Sequence, residues 1–319
     1  MVKKVIIRIV IIITIVLASI TGYYLIIDRE SNIPNSISNI VETKTEHFMG
    51  RRVFKLTPKN KKLQNKNELS NNFQEDNFQE ESILSNNSQQ LQNLSNKVIL
   101  YFHGGSYTAE MTDNHWKFLA NLANDTNMTV IAPDYPLTPK ATYENVFNMI
   151  EPLYKKVITE YGAENVIVMG DSAGGGMALG LIEKISINDI KQPAKTILIS
   201  PWLDISMSNP KIDKVDDRKL NKNALFIAGM AYSRGMDAKE EYLVSPVKGK
   251  VNNLKNVTIF IGNKDMLSPD CYSLQEKARQ VGVDIEIKEY ENADHIWIID
   301  NDDELAKRGY KDLIIILIN

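Results

Sequence analysis

From Lys97 to the C-terminus, short apolar runs alternate with longer stretches of helical periodicity. Val98–Phe102 is an unbroken apolar and aromatic run, and a helical stretch around Trp116–Leu119 follows it. The pattern then predicts a strand at Met128–Ala132, a long helix over Thr142–Tyr161 and a strand at Asn165–Met169. Helix Ala173–Ile185 and strand Ala194–Ile199 come next. Strand Val257–Ile261, helix Ser268–Val281, strand Asp284–Tyr290 and a C-terminal helix ending in Leu313–Ile318 complete the series. Strands that are apolar at every position have no face to offer water. Alternating with helices, they predict a mostly parallel α/β sheet covered on both faces. In such sheets the chemistry gathers on loops leaving the carboxyl ends of the strands.

The N-terminal third reads differently. Ile9–Ile27 is a run of 19 uncharged, mostly branched apolar residues. At 1.5 Å per residue it makes a helix of about 28 Å, close to the hydrocarbon thickness of a bilayer. Lys3, Lys4 and Arg8 precede it, so residues 1–30 read as a single-pass anchor with the N-terminus inside and the remainder extracytoplasmic. The competing reading, a cleaved signal peptide, calls for a shorter apolar stretch and a small-x-small site, for which Ala18-Ser19-Ile20 is a weak candidate. Residues 31–57 then form a stem and first core strand, Arg51–Leu56. Across residues 58–97, 21 of 40 positions are Asn, Gln or Ser, with a tandem Asn-Phe-Gln-Glu at 72–75 and 77–80. Such a stretch buries too little apolar surface to offset its ordering entropy and reads as a disordered insert. Residues 98–319 form the catalytic domain, with a helical lid at about 213–241.

Composition narrows the partners. Among 319 residues, 37 basic and 40 acidic side chains leave a formal charge of -3, which argues against a nucleic-acid partner. One cysteine, Cys271, excludes an intramolecular disulfide and a multi-cysteine metal site.

The chemistry starts at Gly170-Asp171-Ser172-Ala173-Gly174, which follows an apolar strand and opens a helix. This is G-x-S-x-G in a strand–turn–helix setting, where Ser172 would project its oxygen off the sheet as a nucleophile. His103-Gly104-Gly105-Ser106 ends an earlier strand, and acyl transfer needs backbone N–H groups aimed at a developing oxyanion. Gly104, Gly105 and Ala173 are the expected donors, with His103 supporting the loop. Of four histidines, His47 reads as lying before the first core strand and His115 as a packing residue at a helix start. His295 follows the Asp284–Tyr290 strand and is the expected base. Asp265, on the exit loop of the preceding strand, completes the chain order Ser, Asp, His. Asp270 is the alternative acid, while Asp204 and Asp294 read as solvated loop residues.

Together these residues resemble the α/β-hydrolase superfamily, and within it the hormone-sensitive-lipase-like esterases. His103-Gly104-Gly105, Asp134-Tyr135-Pro136-Leu137-Thr138-Pro139, Gly170–Gly175, Ser200-Pro201-Trp202-Leu203-Asp204, Asp265 and His295 carry the resemblance in order. It implies hydrolysis of small acyl esters through an acyl-serine, with no metal or organic cofactor. Ser106 stands where the family often has a third glycine, which points to a narrower acyl site. Tyr107, Tyr135, Trp202 and Trp297 are candidates to line it. A peptidase or acyltransferase on the same three residues, or a non-catalytic membrane-anchored binding protein, are the alternatives.

Overall fold

The central strands form at short runs of consecutive apolar residues, while the strands toward the sheet edges mix apolar with charged positions. The strands are β1 (Val41–Phe48), β2 (Arg51–Pro58), β3 (Val98–Phe102), β4 (Thr129–Pro133), β5 (Val166–Asp171), β6 (Lys195–Ile199), β7 (Val257–Gly262) and β8 (Ile285–Tyr290). The helices are α1 (Asp113–Thr126), α2 (Tyr143–Tyr161), α3 (Ala173–Ile187), α4 (Lys222–Ser233), α5 (Ser268–Gln280), α6 (Trp297–Asp300) and α7 (Glu304–Ile318). These come from a computed structural model that describes residues 30–59, 94–235 and 241–319.

The strands make one sheet in the order β1-β2-β4-β3-β5-β6-β7-β8. β1 and β2 form an antiparallel hairpin, β2 runs antiparallel to β4, and the remaining neighbours are parallel. All six parallel strands therefore deliver their exit loops to one end.

The sheet is covered on both sides because its strands alternate between two cores. In β3, Val98, Leu100 and Phe102 join the core beneath α2, α3 and α5, while Ile99 and Tyr101 join the one beneath α1 and α7. β5 splits likewise, with Val168 on the first side and Met169 on the second. Leu100 is fully buried at the centre of this layer, and its truncation to Ala would cost about 2–5 kcal/mol.

The departures from the sequence pattern have physical causes. β1 was not expected, and His47 lies inside it rather than before the first strand. Only Val41 of that strand is buried, so an edge strand facing water shows no apolar run. Pro58, expected to open the polar insert, closes β2, and Leu94 near its other end is buried. The rest of the insert, residues 60–93, and the apolar run Ile9–Ile27 lie outside the described residues. Among the described residues, no helix is long and apolar enough to cross a membrane. The described part of the expected lid holds a short 3-10 turn, Ile212–Lys214, and α4.

Candidate active site

β5 ends at Asp171 and α3 begins at Ala173, so Ser172 alone turns the chain from strand to helix. It does so at φ 51 and ψ -120, a backbone region that costs a non-glycine residue about 1–3 kcal/mol. The turn closes only because its flanks lack side chains. A Cβ on Gly170 would stand 2.4 Å from the Gly174 carbonyl oxygen, and one on Gly174 would stand 2.0 Å from that of Phe102. Ser172 N–H donates to Ile199 O at 2.9 Å, and Ser172 O accepts from Trp202 N–H at 2.8 Å.

β7 and β8 are adjacent and parallel, which brings their exit loops together. Lys264 N–H donates to Ala293 O at 3.0 Å, and Asn292 N–H to Asn263 Oδ1 at 2.8 Å. Asp265 and His295 ride on these joined loops. His295 Nδ1 lies 2.9 Å from Asp265 Oδ2, and His295 Nε2 lies 2.9 Å from Ser172 Oγ. An ionised carboxylate only accepts, so Nδ1 carries the hydrogen and Nε2 faces the serine hydroxyl with its lone pair. Leu267 N–H holds the other Asp265 oxygen at 2.9 Å. Burial disfavours the His295 imidazolium, but Asp265, with Asp171 and Asp217 beyond it, lifts its pKa above the ordinary value. Asp270, the alternative acid, points elsewhere. It lies buried in α5, bonded to Asn209 Nδ2 at 2.8 Å, and burial pushes its carboxyl up to about 6.

The loop after β3 corrects one expected donor. Gly104 N–H is committed to Asp171 Oδ1 at 2.9 Å and cannot also serve an oxyanion. A Cβ there would collide with Asp171 Oδ2 at 2.2 Å, which explains the glycine. Past it the chain runs through Gly105, Ser106 and Tyr107 at φ 108, 53 and 62. The N–H groups of Gly105, Ser106 and Ala173 donate to no partner among the described residues. His103 braces the loop through Nδ1–H, which donates to Gly104 O at 2.7 Å, while Tyr135 OH donates to His103 O at 2.7 Å. Burial, and then the nearby His115, push the His103 pKa down to about 4, so this ring is neutral near pH 7.

Behind this loop lies a polar cluster that spacing did not reveal. Asp171 accepts from Tyr101 OH at 2.5 Å and lies 3.2 Å from His115 Nε2. His115 is held there by a capping box at the start of α1, in which Thr112 N–H donates to its Nδ1 at 3.1 Å. Burial alone would raise the Asp171 carboxyl, but His115 and Tyr101 leave it below the usual carboxylate range. Burial likewise works against the His115 imidazolium, yet Asp171 lifts its pKa above the ordinary value. The only local hint was an aspartate beside Ser172. Asp204 also differs from expectation: it is buried, and accepts from Ser206 and Ser208 hydroxyls at 2.6 and 2.9 Å. Asp294 sits on a partly exposed loop, 3.7 Å from Lys219 Nζ.

The segment expected to form a lid touches the loops that carry Asp265 and His295. Asp217 Oδ2 accepts Met266 N–H at 2.8 Å, and Lys219 Nζ donates to His295 O at 3.3 Å. From α4, Tyr232 stacks on Tyr107 with ring centroids 3.7 Å apart, and Trp202 lies 5.3 Å beyond Tyr107. Tyr135 instead stacks on His103, and Trp297 packs against Tyr290 in the opposite core.

Comparison with known proteins agrees with this architecture. A family model described as alpha/beta hydrolase fold matches residues 99–299. An esterase of Acinetobacter venetianus is 27% identical over 197 residues, covering 61% of this chain and 65% of that protein. An acetyl-hydrolase of Streptomyces hygroscopicus is 25% identical over 205 residues, covering 63% of this chain and 68% of that protein. The aligned stretch thus spans about two thirds of these relatives. A crystal structure of a hormone-sensitive lipase from a metagenome library has TM-score 0.69 at 21% identity, covering 86% of this chain and 84% of that one.

Proposed function

The chain belongs to the alpha/beta hydrolase fold family, and we propose that it is a membrane-anchored serine esterase acting on short-acyl carboxylic esters. One observation carries the chemical part: an unbroken hydrogen-bond chain from Ser172 Oγ through the His295 ring to Asp265, each link 2.9 Å. In this reading Ser172 Oγ attacks the ester carbonyl carbon while His295 Nε2 takes its proton. Asp265 holds the tautomer and balances the imidazolium. The N–H groups of Gly105, Ser106 and Ala173 receive the oxyanion, each worth about 2.7–4 kcal/mol in the transition state. Collapse returns the proton to the departing alcohol. Water, activated by the same histidine, then cleaves the acyl-serine to acid and free enzyme.

Two observations support a short acyl chain. Tyr107, Tyr232 and Trp202 fill the space beside the first turn of α3, where a Cβ on Gly176 would come within 3.2 Å of Tyr107 Oη. One relative carries the name acetyl-hydrolase. The anchor and the extracytoplasmic position of the domain rest on the run Ile9–Ile27 and the basic residues before it.

The chemistry is tested with chromogenic esters of increasing acyl length, on the full chain and on Ser172→Ala. Acetyl and propionyl esters are expected to turn over fastest and the variant to be silent. Activity that survives the substitution would remove Ser172 from the mechanism. Protease treatment of intact cells tests the topology: degradation before lysis is expected, and protection until lysis reverses the orientation.

A further inference from the structure

The chain enters the folded domain on the face that carries the reacting groups. Ser31 is 1% exposed and tied on three sides. Its N–H donates to Asp134 Oδ1 at 3.2 Å, its carbonyl accepts from Arg52 Nη2 at 2.6 Å, and its Oγ accepts from Met111 N–H at 3.1 Å. Asp134 directly follows β4, and Met111 lies between the His103–Tyr107 loop and α1. Arg52 lies at the β2 end beside them, where its carbonyl accepts Asp134 N–H. All three partners stand at the carboxyl ends of the parallel strands, the end at which Ser172 sits.

The apolar run ends at Ile27, so Asp28, Arg29 and Glu30 alone separate it from this fixed point. Four Cα steps reach at most about 14 Å. A domain about 40 Å across on so short a tether cannot turn its far end to the bilayer. The face next to the tether also offers apolar contacts. Met49, at the tip of the β1–β2 hairpin, is 63% exposed, and Phe226 and Ile227 project from α4 at 36% and 68%. Charge there is mixed, with Arg218 paired to Asp216 and Arg234 to Glu144, so nothing singles out anionic lipid.

We infer that the catalytic face docks on the surface of the membrane that holds the anchor, with Met49, Phe226 and Ile227 at the contact, and that Ser172 takes esters presented by that membrane. The inference rests on the anchor and esterase readings above, and its test separates them.

The full chain is reconstituted in phosphatidylcholine vesicles as Met49→Cys, Ile227→Cys and Val281→Cys, each carrying a thiol fluorophore, with wild-type Cys271 as the labelling blank. Val281, 45% exposed just past α5, marks the far end. Headgroup spin-labelled lipid is expected to quench positions 49 and 227 severalfold more than 281. Equal quenching at all three, or most at 281, overturns the docking. Failure of the protein to float with vesicles overturns the anchor and the docking together. A flexible spacer of about 20 residues between Arg29 and Glu30 is expected to erase the contrast. It is also expected to slow a vesicle-borne ester about tenfold while leaving a soluble acetyl ester unchanged. An unchanged rate on the vesicle-borne ester overturns the supply of substrate from the membrane. Absence of turnover on the soluble ester removes the esterase reading, and the quenching pattern still decides the docking.

Discussion

Two buried Asp–His pairs flank Ser172, and they differ in what the third partner is. Asp265 and His295 meet at 2.9 Å, and the histidine's far nitrogen reaches a hydroxyl. Asp171 and His115 meet at 3.2 Å, and the aspartate's far oxygen holds a backbone amide, that of Gly104. Both histidines are shifted toward the protonated form by their aspartates against the effect of burial. A hydroxyl can give up its proton and become a nucleophile, whereas an amide keeps its own. In the proposed mechanism the same pair of residues would serve proton transfer in one place, while in the other it holds a loop. A perturbed pKa identifies neither role; the partner does.

The largest effect that tests this contrast is at the reacting end. Ser172→Ala or His295→Ala is expected to lower kcat by about 10⁶ with folding intact, checked by ester turnover beside thermal melting. Asp265→Asn is expected to lower kcat/KM by about 10⁴, because an amide can present the wrong hydrogen-bonding group to Nδ1. The matched change on the other side, Asp171→Asn, should lower kcat only about 10–100-fold by loosening Gly104. It should also reduce stability by about 1–3 kcal/mol in urea titration, since Tyr101 and His115 lose a charged acceptor. If Asp171→Asn matches Asp265→Asn in rate and leaves stability untouched, the two pairs do not divide the work in this way.

Smaller effects come with pH. His295 must be neutral to accept a proton, so kcat/KM should rise through a pKa above the ordinary value of about 6.5, and Asp265→Asn should move that midpoint down. The second pair governs stability instead. The raised pKa of His115 stabilises fully below about 6.5 and is lost as pH climbs through the higher folded value. The lowered pKa of Asp171 stabilises above about 3.9 and is lost as pH falls through the lower folded value. Urea midpoints should therefore show a contribution from this pair that is largest between about pH 4 and 6.5, and Asp171→Asn should flatten it.

Much of the first pair was legible because its determinants are local. Ser172 sits between an apolar strand and a helix, and Asp265 and His295 each follow a strand by a few residues in the expected chain order. The second pair joins residues 56 apart through the start of a helix, and nothing in their spacing marks it. The same gap explains the misassigned donor. Two glycines after a strand look equivalent in sequence, and only the Asp171 carboxylate distinguishes Gly104 from Gly105. β1 escaped notice because only one of its residues is buried, and Asp204 read as solvated because no local pattern marks its burial against the Ser206 and Ser208 hydroxyls. The apolar run at Ile9–Ile27 and most of the Asn/Gln-rich stretch were read from composition alone.

The backbone of Ser172 bears on how the turn opens to solvent. Ser172 donates to Ile199 at the end of β6 and accepts from Trp202 just beyond it, so the strained turn is fastened to the sixth strand at both backbone groups. Both amides are at sites that cannot open unless the centre of the sheet does. In native-state hydrogen exchange, the Ser172 and Trp202 amides should persist as long as those of β5 itself. Ser172, held at positive φ, would then be among the last residues to feel solvent.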